Sequence, residues 1–152
     1  MSGTLATFLI VHVLAGVIGV FLFGAAALEL LKNKSSLRLL RWFSLLGFLF
    51  FAGVLWSSAG YYYVLYYGKA VKPVIKAGST PWVHTVIMET KEHIFLFLPF
   101  IALVITLLFY FLGDKVEQNN NIKKAAFTLT SMIFIFGIVI TLMGILISGS
   151  TK

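Results

Sequence analysis

The chain has 152 residues, 60% of them hydrophobic and 11% charged, with a formal net charge of +7. A soluble domain of this composition lacks the polar residues to cover its surface, so the bilayer is the expected solvent. The absence of cysteine excludes disulfides, thiolate zinc sites, iron–sulfur clusters and covalently attached haem, and the basic surplus falls mostly in short loops between apolar runs, which assigns it to topology and anionic lipid and not to nucleic acid.

A membrane span takes ~20 residues at a rise of ~1.5 Å to cross a hydrocarbon core of roughly 30 Å. The first segment that qualifies runs from Thr4 to Leu31, with Glu29 its only charge. Ala25-Ala26-Ala27 resembles a signal-peptidase site. However, no Lys or Arg precedes the run, and it exceeds the roughly 7–15 residues of a signal-peptide core, so an uncleaved helix is expected. His12 shares a helical face with Gly16, Gly19 and Ala26, where small residues admit a flat ligand or a neighbouring helix. Glu29 is expected to form a local ion pair near Lys32 and Arg41.

The second span is read from Leu39 to Gly68, with no charge after Arg41. Gly53, Trp56, Gly60, Tyr63 and Tyr67 form a stripe along it. The tyrosines suit an interfacial aromatic belt, and the deeper Trp56 is placed to border a ring-shaped ligand such as haem or quinone. A long loop from Lys69 to His84 follows, carrying Pro73, Gly78 and Pro81.

The third span is read from Thr85 to Gly113. Its polar start, Glu89-Thr90-Lys91-Glu92-His93, sets Glu89 and His93 on one face, four residues apart. Glu89 would then accept a hydrogen bond from the distal nitrogen of His93, as a ligating imidazole usually requires. Lys91 points nearly opposite and would snorkel to the headgroups. Acids at a helix start also suit the macrodipole without any site. Pro99 is expected to kink the helix and free the carbonyl of Phe95. A polar turn, Gln118-Asn119-Asn120-Asn121, leads to the fourth span, Lys124 to Ser148, which has a scaffold role.

The fold expected is all-α: a single transmembrane domain, an up-down-up-down four-helix bundle, multi-pass in the cell membrane. Lys32, Lys34, Arg38, Arg41, Lys115, Lys123 and Lys124 outnumber Lys69, Lys72, Lys76, Lys91 and Lys152, which puts both termini outside. His12 and His93 then lie at similar depth on parallel helices, each roughly 12 Å from its helix start. That arrangement suits one b-type haem between helices one and three, with the iron taking an imidazole from each side. Gly16, Gly19, Trp56 and Tyr63 would border it, and Lys91, with Lys69, Lys72 or Lys76, would pair with its propionates. Three histidines allow no more than one such haem per chain.

His12 with Gly16 and Gly19, the element Gly60-Tyr61-Tyr62-Tyr63, Trp82-Val83-His84 and Lys91 together give a likeness to known families. Over roughly residues 1–110 the chain resembles small four-helix membrane families of the CopD-like copper-resistance and HemJ-type protoporphyrinogen oxidase group, which share an architecture with b-type cytochromes. The resemblance implies a haem-associated or redox membrane protein with His12 as the ligand.

The expected function is therefore that of a cytochrome b-like electron-transfer subunit or oxidoreductase, working with a quinone and a redox partner protein in a homo- or hetero-oligomer. Two alternatives stand beside it. His12, His84, His93, Glu89 and Glu92 would suit a zinc, copper or iron ion without haem. The chain would otherwise serve as a structural or assembly subunit of a larger membrane complex.

Overall fold

The computed structural model describes residues 3–150 and contains helices and no strand among them. Lys152, counted above for topology, lies outside the described residues. Four helices are long and apolar enough to cross a membrane: α1 (Gly3–Leu30), α2 (Leu37–Ala77), α3 (Val83–Phe111) and α5 (Asn120–Gly149). A single turn, α4 (Gly113–Val116), joins the last two.

Local chemistry sets the boundaries. Ser36 opens α2 in extended conformation, and its side chain accepts from the Leu39 amide. Asn119 does the same for α5, accepting from the amides of Asn121 at 2.9 Å and Ile122 at 3.3 Å. The fourth long helix therefore begins within the polar turn, at Asn120 and not at Lys124.

The largest departure from expectation is the end of α2. Lys69 to Ala77 is helical, although Lys69, Lys72 and Pro73 read as a loop. A π-helical stretch, Tyr63–Val71, precedes Pro73. Its wider turn relieves the clash that a proline ring makes with the carbonyl four residues back. Ile75 then buries completely against Tyr67, Val83 and Ile147, which holds the extension onto the bundle. Two further π stretches occur, Phe50–Leu55 within α2 and Val83–Met88 at the start of α3. As a result His84, expected just before the third helix, lies inside it.

Helix α1 packs on α2 and α5, and α3 packs on the same two. The core between them is apolar and aromatic, with Phe23, Phe51 and Phe109 fully buried. Glycine permits the closest approaches. A Cβ at Gly47 would lie 2.6 Å from a ring carbon of Phe23, and Gly137 lies against Val20 in the same way. Thr106 ties α3 to α2, its hydroxyl donating to the carbonyls of Ser44 at 3.1 Å and Ala102 at 2.8 Å. Pro99 is buried inside α3, which continues past it to Phe111.

The end where α1 turns into α2 is closed by paired charges. Buried Glu29 takes an ion pair from Lys32 and the Ser36 amide at 2.8 Å. Arg41 is not part of that pair. Its guanidinium instead donates to the carbonyls of Phe109 at 3.0 Å and Tyr110 at 3.3 Å, where α3 ends. Glu117 accepts from the Ser35 amide at 3.1 Å and from Lys123 at 3.0 Å. Hydrogen bonds from Ser35 and Lys123 hold its carboxyl below the usual carboxylate range.

Candidate functional site

The opposite end, where α2 gives way to α3, is built differently. A cleft of about 900 Å³ opens there between all four long helices. Its polar wall includes His12 from α1, Tyr63 and Tyr67 from α2, Lys91 and Glu92 from α3, and Thr141 from α5. Gly16, Gly60 and Gly144 line it without side chains, and Leu55, Phe51 and Phe95 supply apolar surface.

The phase of α3 decides which of its residues enter this cleft. Leu98, Ala102, Ile105 and Phe109 are buried at intervals of three or four, which defines the inner face. The same stepping toward the N-terminus reaches Phe95, Lys91 and Met88, all of which line the cleft. Two residues from Lys91 is about 200° of turn, so His93 faces outward. It is exposed, and its Nδ1 is 2.6 Å from the Glu89 carbonyl of its own helix. Glu89 is exposed as well.

The structure therefore does not bring His12 and His93 together across the bundle. The opposition of Lys91 and His93 is as expected, but the inward residue is the lysine. The reason is physical: no apolar residue within Glu89-Thr90-Lys91-Glu92-His93 marks an inner face, and its rotation is set by packed residues on either side, Val83 and Met88 before it and Leu98, Ala102 and Ile105 after it.

His12 lies within the bundle with its ring edge toward Phe95, centroids 6.5 Å apart and planes at 61°. The Leu55 backbone lies within hydrogen-bonding reach of the ring. Nδ1 is buried and makes no hydrogen bond of good geometry. Glu92 behaves similarly: the Tyr63 hydroxyl is within reach of its carboxylate, yet Oε1 is buried without a partner. Lys91 runs to α5, with Nζ 3.3 Å from where a Cβ on Gly144 would sit.

Behind the cleft lies a pair that the expected loop concealed. The Tyr67 hydroxyl is 3.1 Å from Nδ1 of His84, and both residues are buried. Tyr67 also stacks on Tyr63, centroids 5.3 Å apart. Nε2 of His84 is buried without a partner. Thus three buried polar atoms without a hydrogen-bond partner, on His12, His84 and Glu92, gather at this end. Buried polar groups are nearly always satisfied, so such a cluster points to ligand or water.

The remaining sequence candidates divide. Gly16 and Tyr63 line the cleft. Gly19 is buried against Phe51 and serves packing. Trp56 packs edge-on to Phe100, centroids 6.0 Å apart, and lies off the cleft. His84 faces Tyr67 and not His12. Among the described residues no three of His, Cys, Asp or Glu are grouped to hold a metal ion, so the set His12, His84, His93, Glu89 and Glu92 is not assembled. Comparison with protein-family models, curated proteins and solved structures finds no match to this chain.

Proposed function

We propose that the chain is an up-down-up-down membrane bundle that binds one haem b in the cleft and acts as a cytochrome b-like electron-transfer protein. Membrane insertion is supported by large apolar side chains exposed on the outer faces of all four long helices, such as Phe21, Val64, Phe97 and Ile135. By chain order the α2–α3 end, and with it the cleft, is on the side of the termini in such a bundle, and the distribution of basic residues supports that side as the outer one.

The observation that carries the haem reading is the buried, unpartnered Nδ1 of His12 on the wall of a cleft of about 900 Å³. That volume lies within the range typical of small-molecule and cofactor sites, roughly 300–1,000 Å³. The residues present fit the group with one imidazole in place of two. His12 would hold the iron through its imidazole, with its ring oriented by the Leu55 backbone. Gly16, one turn further along α1, keeps that wall low, while Phe51, Leu55 and Phe95 exclude water. Iron bound here would supply one-electron chemistry. A quinone and a redox partner protein are the electron donor and acceptor classes that suit a chain of this size.

Purified from cells supplied with haem, the wild-type protein is expected to show a Soret band that His12→Ala abolishes. His93→Ala and Glu89→Ala are expected to retain it. A colourless, iron-free wild type overturns the haem reading, and loss of the band in His93→Ala overturns the single-imidazole site.

A further inference from the structure

Among the described residues Lys91 forms no ion pair. Ion pairs among the described residues, Glu29 with Lys32 and Glu117 with Lys123, both lie at the far end of the molecule. Lys91 makes neither an ion pair nor a hydrogen bond with any described side chain. The carboxylate whose charge acts on it is that of Glu92, which is directed toward Tyr63. The ammonium is nonetheless deliberately accommodated: glycine at 144 leaves the space it occupies, and a Cβ there would stand 3.3 Å from Nζ. An ionisable side chain inside a membrane bundle is costly and normally has a partner. Glu92 supplies a neighbouring charge but no hydrogen bond, which leaves the ammonium free to take a partner from the cleft.

We propose that Lys91 is a carboxylate-binding residue, and that the cleft takes an amphiphile through its acid group. This rests on the reading of the cleft as a ligand site but not on His12 as an iron ligand. Three features specify the class. The walls are mainly apolar, so the body of the ligand is too. The ammonium is a point charge with rotatable donors, suited to one carboxylate. The hydroxyl of Tyr67 lies in the same cleft and can donate to the acid's second oxygen when Nδ1 of His84, 3.1 Å away, carries the proton of that pair. A porphyrin propionate and the headgroup of a fatty acid share this chemistry.

The test uses the full chain in detergent with fluorescent probes that need no iron. Metal-free protoporphyrin IX, its dimethyl ester and a polyene fatty acid are titrated against wild type, Lys91→Met and Lys91→Arg. A charge-assisted hydrogen bond predicts that Lys91→Met weakens acid binding about ten-fold or more. Lys91→Arg keeps most of the affinity, and the ester is indifferent to both changes. If only the fatty acid shows this dependence, the carboxylate site stands and the porphyrin reading falls. Equal loss for acid and ester, or no loss for either acid, overturns the proposal. His93→Ala, on the outward face of α3, should leave binding of both acids intact, and the absence of iron from every probe separates this site from iron ligation. Circular dichroism and a single elution peak for each variant exclude misfolding as the cause.

Discussion

Gly47→Ala tests the packing that holds the bundle together. The added methyl would lie 2.6, 3.0 and 3.1 Å from three ring carbons of Phe23, against ordinary carbon–carbon contacts of roughly 3.5–4.0 Å. The ring must therefore retreat by about 1 Å. It has little room to do so, because Phe23 is fully buried and stacks on Phe51 at 5.7 Å. Overpacking of this kind costs about 1–3 kcal/mol. Phe23→Leu removes the offending ring edge and carries a cost of its own. The double variant should then lose less than the sum of the two singles, by about 1 kcal/mol. Unfolding by sodium dodecyl sulfate from a mild detergent, followed by circular dichroism, measures each term. A Gly47→Ala stability within about 0.5 kcal/mol of wild type, the range of a neutral surface change, refutes the steric account. So do strictly additive losses.

Two further outcomes concern the paired end. Arg41→Met removes two hydrogen bonds to the last carbonyls of α3 and a guanidinium placed 5.6 Å from the Tyr110 ring centroid. The part-exposed setting and the helix dipole suggest a loss of about 1–2 kcal/mol in the same unfolding assay, with Arg41→Lys intermediate; equal stability of all three refutes it. Glu117 has its folded carboxyl pKa held below the ordinary value, so its contribution is present above that value and is lost as the pH falls through the acid range. Stability measured against pH should fall less steeply below about pH 5 in Glu117→Gln than in wild type; the effect is small because the pair is partly exposed.

The four long helices are legible in the sequence because each contains an apolar run long enough to cross a membrane, and such runs are read directly from composition. The ion pair of Glu29 with Lys32 is legible because three residues apart on a helix is contact distance. The reach of α2 is not. Lys69, Lys72 and Pro73 carry the marks of a loop, and only the tertiary burial of Ile75 shows that Val71 and Ile75 form an inward face. The polar wall is half legible. His12, Gly16, Tyr63 and Lys91 were identifiable by type, but a polar helix start does not state its own rotation. The entry of Glu92 into the cleft and the pairing of Tyr67 with His84 depend on that rotation and on the hidden helical extension, so these placements emerge only from the packed structure.

The π stretches have a bearing on how such a site can change. A π turn holds one residue more than an α turn, and one residue is about 100° of helix rotation. Tyr63–Val71 and Val83–Met88 thus work as gears next to the cleft. Loss of a single residue in either would restore an α turn and swing Tyr67, His84 or their neighbours to a new bearing. The helix halves beyond, locked by Phe23, Phe51 and Phe109, would keep theirs. Which side chains meet a ligand can therefore be reset by the length of the chain, with no substitution at the contacts themselves.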